Sequence, residues 1–125
     1  MKAFTGLKKG DAKLAGILER AGLHHNVAHT LVYIQSKKET TSKEIQNVTK
    51  LRQPEVSIAI QELRKREWVD KKDFKKDKGK GRPIHQYFLN IDFKKVLEHF
   101  VTENKKRIKS VESDIADLLV LKKKL

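Results

Sequence analysis

The tightest constraint in this sequence is the punctuation between residues 40 and 66. Thr40-Thr41-Ser42-Lys43-Glu44 places a hydroxyl residue three positions before a glutamate, the arrangement in which side chains reciprocally satisfy the free N–H groups that open a helix. Ile45 and Val48 give that helix an apolar edge. It must stop within Thr49-Lys50-Leu51-Arg52, because Gln53-Pro54 restarts the chain with proline at a first helical position, where a missing N–H does no harm. Val56, Ala59, Ile60 and Leu63 then form a second stripe at helical spacing. Two short helices separated by a tight turn are therefore expected, and neither buries its stripe without neighbours.

The flanking segments supply those neighbours. From Leu7, LKKGDAKLAGILERAG sets Leu14, Ile17, Leu18 and Ala21 at spacings of three and four, with Gly22 as a stop and Gly10 and Gly16 weakening the helix. In HHNVAHTLVYIQSK, Val27, Leu31 and Ile34 make one stripe with Ala28 and Val32 beside it. Asn26 is the expected cap, and this helix is expected at the centre of the core. After Arg66 the pattern turns to alternation. Trp68-Val69-Asp70-Lys71 and Phe74 lead into a polar tip, and Ile84 and Gln86-Tyr87-Phe88-Leu89 return from it, as in a β-hairpin. The tip, KKDKGKGRP, has Gly79, Gly81 and Pro83 for reversal. It carries Lys75, Lys76, Lys78, Lys80 and Arg82 against Asp77 alone.

From Asp92 to Leu125 neither proline nor glycine interrupts the chain, and a single helix of roughly 50 Å is expected, longer than a domain this size covers by itself. Its seam runs Phe93, Leu97, Phe100, Asn104, Ile108, Val111, Ile115, Leu118, with successive steps of four around Asn104 that shift a strict heptad like a stutter. Such a seam wants a second copy, with Asn104 placed to fix register. The competing arrangement folds the helix back over Leu14, Ile17 and Leu18.

Composition narrows the partners. The chain has 125 residues, one domain's worth, with 29 Lys and Arg against 16 Asp and Glu and a formal charge of +13. That balance favours a polyanion, and nucleic acid is the commonest one. No apolar run approaches the roughly 20 residues that span a bilayer, and the basic residues do not gather on one amphipathic helix, so a membrane partner is not expected. With no cysteine, disulfides, thiol catalysis and thiolate metal sites are excluded. The start MKAFTGLKKGDAK has no secretory apolar stretch, so the expected location is cytoplasmic and nucleoid-associated.

The order helix, helix, short helix, turn, helix, hairpin, long helix is that of a winged helix-turn-helix protein, mainly α with a small β-hairpin (α+β) and a long C-terminal dimerisation helix. Residues 1–91 are expected to form the DNA-binding domain and 92–125 a coiled-coil-like dimerisation helix. With its apolar stripe inward, the helix from Pro54 to Arg66 presents Gln53, Ser57, Ile58, Gln61, Arg64 and Lys65, while Thr41, Ser42 and Lys43 open the preceding helix. Gln53 and Gln61 can pair with adenine, Ser57 can donate to bases or phosphate, and Ile58 can pack on a thymine methyl or beneath the hairpin. Arg64, Lys65 and Lys43 suit phosphates. Lys75, Lys76, Lys78, Lys80 and Arg82 form a basic wing, with Arg82 between Gly81 and Pro83 aimed at a minor groove.

The stretch TTSKEIQNVTKLRQPEVSIAIQELRKREWV followed by GKGRPIHQYFL resembles the MarR-like and TrmB-like winged-helix regulators of archaea and bacteria, over about Leu23 to Leu89. The resemblance implies a homodimer, a recognition helix at Gln53 to Arg66, a wing at Lys71 to Arg82, and control of transcription at a palindromic operator. The chain departs from such regulators at Ile58, where they often carry a polar or basic residue, and the large sugar-binding domain of full-length TrmB-like proteins is not expected within these 125 residues.

Other chemistries fit the sequence less well. His25 and His29 share a helical face near His24, and His85 or His99 can approach from elsewhere, but no acidic or thiolate partner completes a metal set in the sequence. Neither metal nor cofactor is expected. There is no Gly-rich phosphate loop, no nucleophile with a base and no paired carboxylates in an apolar setting, so no enzyme is expected. The expected function is sequence-specific binding of double-stranded DNA by a homodimer acting as a transcriptional regulator on a pseudo-palindrome. The alternatives are a non-specific architectural chromatin protein or a docking subunit of the transcription machinery. No residue identifies a small-molecule effector.

Overall fold

Among the described residues, five helices and one hairpin follow in the order α1 (Lys9–Arg20), α2 (His25–Gln35), α3 (Ser42–Thr49), α4 (Gln53–Lys65), β1 (Val69–Phe74), β2 (Ile84–Leu89) and α5 (Phe93–Lys124). The computed structural model describes residues 6–74 and 84–125. This is the winged helix-turn-helix architecture, α+β with a long C-terminal helix. No described helix is long and apolar enough to cross a membrane.

α2 is the centre of the core. Val27 through Ile34 are all buried, and the helix packs on α1, α3, α4 and β2. A helix apolar or small on nearly every side has no solvent face, so its neighbours are bound to surround it. Its cap is His24, not the expected Asn26: the His24 Nδ1 accepts the Asn26 N–H at 3.1 Å, starting the helix two residues earlier. On α1 the buried residues are Ala15 and Leu18. Ile17, expected inside, is 43% exposed, and Leu14 is half-buried.

α1 and α4 end in the same way. The Leu23 N–H donates to the Leu18 carbonyl and Gly22 N–H to Glu19, each at 3.0 Å. At the end of α4 the Trp68 N–H reaches Leu63 at 3.1 Å and Glu67 N–H reaches Arg64 at 2.9 Å. Both pairs are the six-to-one and five-to-two bonds of a Schellman closure, which requires positive φ at the residue past the cap. Gly22 supplies it at φ +119, and Glu67 adopts it at φ 65.

The hairpin is antiparallel, with Val69 opposite Leu89 and Phe74 opposite Ile84. A further bridge joins Thr40 to Tyr87. The Tyr87 N–H donates to the Thr40 carbonyl at 2.7 Å, and the Thr40 N–H to Tyr87 at 3.0 Å. That single pair ties the approach to α3 to the returning strand, an attachment the sequence does not display.

The chain divides into two units, Met1–Phe93 and Lys94–Leu125. As far as Leu118 the large apolar residues of α5 fall into two stripes, and Leu119, Val120 and Leu121 beyond them are exposed as well. Val96 and Phe100 are buried and Phe93 is half-buried. Leu97 (37%), Val101 (54%), Ile108 (58%), Val111 (49%), Ile115 (50%) and Leu118 (63%) are exposed. With Val101 in the place given to Phe100, the exposed seam Leu97, Val101, Asn104, Ile108, Val111, Ile115, Leu118 alternates steps of four and three without a stutter. Asn104 sits half-buried within that seam, its Nδ2 donating to the Phe100 carbonyl at 2.8 Å.

Candidate nucleic-acid interface

The helix-turn-helix is assembled by local bonds. Thr41 Oγ1 accepts the Glu44 N–H, and Glu44 Oε1 accepts the Thr41 N–H, both at 3.2 Å, completing the expected capping box. Thr40 adds its own hydroxyl to Glu44 Oε1 at 2.7 Å. At the far end the Thr49 hydroxyl donates to the Ile45 carbonyl at 2.6 Å, and Lys50 takes the left-handed conformation at φ 64. That residue turns the chain sharply enough for α4 to begin three residues later. Glu55 Oε1 there accepts the Arg52 N–H at 2.8 Å. This backbone bond, followed by the Arg52 guanidinium, holds the Glu55 carboxyl below its ordinary range.

α4 divides its faces cleanly. Val56, Ala59, Ile60 and Leu63 are buried, while Gln53, Ile58, Gln61, Arg64 and Lys65 are exposed and Ser57 is half-buried. Ile58 is 66% exposed, so it is not packed beneath the hairpin. A hollow of about 350 Å³ lies between α4 and the hairpin. It collects Ser42, Gln53, Ser57, Gln61 and Arg64, and adds Lys71, His85 and Tyr87, none of which is among the individual DNA contacts expected from the sequence. A neighbouring hollow of about 320 Å³ is lined by Thr41, Ser42, Lys43, Ile84, His85 and Tyr87. Ile58 and Lys65 border neither. Lys75, Lys76, Lys78, Lys80 and Arg82 lie outside the described residues.

The three added residues had a readable signal. Lys71 pairs across the ladder with Tyr87, and His85 stands two residues from Tyr87, so strand alternation puts them on one face of the hairpin. Burial pushes the Tyr87 phenol up against a smaller opposing influence of Arg64, which keeps its O–H as a donor. Arg64 is itself steadied by Asp70 at 3.7 Å, and His85 Nδ1 lies 2.7 Å from Asp73. Lys72 is paired with Glu39. Among the described residues Lys43, Lys50, Lys65 and Lys71 form no ion pair, so their charge is open to an outside anion. The Ser42 hydroxyl accepts from Gln46 Nε2 at 3.2 Å and retains its proton to donate. The rim is thus polar and net basic, with amide, hydroxyl and guanidinium donors turned to one side.

No protein-family model and no curated protein sequence matches the chain. Solved structures match its fold. A possible transcriptional regulator from Methanosarcina mazei Go1 aligns over 82% of this chain and 88% of its own, at 12% identity and a TM-score of 0.59. TrmBL2, an archaeal chromatin protein with a novel mode of DNA binding, aligns over 89% of this chain at 18% identity and a TM-score of 0.59; this chain spans 42% of that longer one. MepR, a transcription regulator of the Staphylococcus aureus multidrug efflux pump MepA, aligns over 83% of this chain and 74% of its own, at 17% identity and a TM-score of 0.50. At such identities the likeness is one of fold.

Proposed function

We propose that the protein binds double-stranded DNA as a homodimer and regulates transcription from a pseudo-palindromic site. The observation that carries this reading is the outward face of α4. Gln53, Ser57, Gln61 and Arg64 stand together beside Ser42 and Lys71, on a helix whose opposite face is locked into the core. A helix fits the major groove, where glutamine reads adenine bidentately, serine bonds base or phosphate, and the exposed Ile58 meets a thymine methyl. Arg64, Lys65, Lys43 and Lys71 meet phosphates, as do Lys75, Lys76, Lys78, Lys80 and Arg82 of the wing, and Thr41 stands where the backbone passes the start of α3. The exposed heptad of α5 joins two copies, presenting two α4 helices to successive major grooves about 34 Å apart. Occupancy of the site then blocks or recruits polymerase.

A second reading, non-specific architectural binding, is favoured by the fold shared with TrmBL2, named as a chromatin protein, and by the formal charge of +13. The two differ in which residues matter. Selection from a random DNA pool, with binding measured over a salt series for wild type and Gln53→Ala/Gln61→Ala, separates them. Specific regulation requires one enriched pseudo-palindrome, a preference abolished by the double substitution, and salt-sensitive background binding that persists. Tight binding with no enriched sequence leaves the architectural reading. No DNA binding at all removes both and leaves a protein-docking module.

A further inference from the structure

The Schellman closure at Gly22 brings the end of α1 against the start of α2, and with it one carboxylate against two imidazoles. Glu19 Oε2 lies 3.1 Å from His25 Nδ1 and 3.1 Å from His29 Nε2. All three donor atoms fall within 4.8 Å of one another. The carboxylate is the acidic partner that the sequence withheld, because it stands on a different helix, ten residues before His29.

We propose that Glu19, His25 and His29 form a binding site for one first-row divalent transition-metal ion of zinc type. Zinc bonds of about 2.0–2.1 Å in a tetrahedron put neighbouring donors roughly 3.3 Å apart, close to the two separations found. Two imidazoles and one carboxylate are a donor set that zinc accepts in three-ligand sites with an open fourth position, and oxygen-seeking magnesium and calcium do not favour it. One side of the site is fixed and the other is accessible: the His29 side chain is 7% exposed and that of His25 is 55% exposed, with Glu19 between them at 32%. His25 and His29 are one helical turn apart with ring centroids separated by 4.1 Å, the i, i+4 spacing at which two histidines of one helix face hold a single ion. Entry is from the His25 side, where water supplies the fourth ligand.

Burial works against the Glu19 charge, but hydrogen bonds and charge from His25 and His29 outweigh it and hold the carboxyl below its ordinary range. Burial, then the nearby His25, hold His29 below its ordinary value against the opposing pull of Glu19.

The test uses the full chain, expressed without a histidine tag and stripped with chelator, titrated with Co²⁺ by visible absorption and then with Zn²⁺ in competition. The expected result is one Co²⁺ per chain with ligand-field bands of a low-coordinate site, displaced by Zn²⁺. Glu19→Gln and His25→Ala each weaken binding about 100-fold or more, while His24→Asn, which removes the neighbouring imidazole but keeps a capping acceptor at the start of α2, leaves it within about threefold. Circular dichroism verifies that each variant is folded. Histidine ring resonances on Zn²⁺ addition provide a readout on wild type alone, with His25 and His29 moving and His24, His85 and His99 unmoved. The proposal is overturned by absence of saturable one-to-one binding, by wild-type affinity in Glu19→Gln or His25→Ala, or by ring shifts confined to other histidines.

Discussion

If α5 joins two copies as proposed, substituting Ile108→Asp together with Ile115→Asp should convert that dimer to monomer. Both residues sit on the exposed heptad of α5, at 58% and 50% exposure. Burying a whole aliphatic side chain contributes about 1.5–3 kcal/mol, so each has roughly 1 kcal/mol still to gain against a partner. In a symmetric pair the double variant changes four side chains. The lost apolar gain is about 4 kcal/mol, and a further ~1 kcal/mol or more per carboxylate arises from drawing polar groups into the seam. The first loss alone raises the dimer Kd about a thousandfold. Because these side chains already face water in one chain, the monomer should keep its helix content, apart from about 0.5 kcal/mol or less per site for aspartate in a helix. Sedimentation equilibrium is the assay, with circular dichroism for folding and Ser113→Asp, on the opposite side of α5, as the control that stays dimeric. If the variant assembles with wild-type affinity, or the wild type is monomeric at tens of micromolar, the seam is not the dimer interface and the palindrome argument goes with it.

Three further outcomes follow from single positions. Lys50→Gly should raise the melting temperature by a few degrees, since relieving a left-handed non-glycine residue at φ 64 contributes about 1–2 kcal/mol and the added unfolded-state entropy returns about 0.5–1 of it; a lower melting temperature contradicts the strain. Leu31→Ala, at a position with no exposure in the most enclosed helix, should cost about 2–5 kcal/mol, measured by urea denaturation. A loss under about 1 kcal/mol there means that α2 is not the centre of the core. Ile58→Ala should leave stability within about 0.5 kcal/mol while weakening binding to a selected site carrying thymine at the contacted step; unchanged affinity across all such sites removes Ile58 from the readout.

The helices were legible where their causes are local. The capping box at Thr41 and Glu44, the proline restart at Pro54 and the stripe Val56, Ala59, Ile60, Leu63 appear in the structure as the sequence implies, because each depends on neighbours within a turn or two. The misses have physical origins of another kind. Asn26 is a better cap by side-chain chemistry, but His24 offers an imidazole nitrogen at the right place and α2 begins earlier. Ile17 and Leu14 match the apolar spacing of α1 as well as Leu18 does, and only packing against α2 decides that Ala15 and Leu18 face inward. Val101 and Phe100 are adjacent, so spacing alone lets either continue the seam. Burial of Phe100 assigns the exposed role to Val101. The Thr40–Tyr87 bridge is one pair long and leaves no periodic trace.

The least legible features have a common geometry. In a Schellman closure the residue accepting the five-to-two bond lies just inside the helix end while the chain reverses past it, so its side chain meets one six positions later. Glu19 accepts from Gly22 and meets His25; Arg64 accepts from Glu67 and meets Asp70. Spacing of six belongs to neither the helix nor the strand period, which is why neither pair stands out in a sequence read by periodicity. The turn residue therefore controls the pair. Gly22 has nothing within 4 Å of where a Cβ would stand, so Gly22→Ala introduces no clash, and its cost, about 1–2 kcal/mol, comes from holding an L-residue at φ +119. If the chain relaxes that strain by rotating the turn, Glu19 withdraws from His25 and His29, and Co²⁺ affinity should fall along with the melting temperature. Glu67→Gly should do the reverse at the other closure, raising stability while leaving Arg64 on Asp70. If Gly22→Ala lowers stability but binds Co²⁺ as wild type does, the three ligands are held by helix packing and not by the turn.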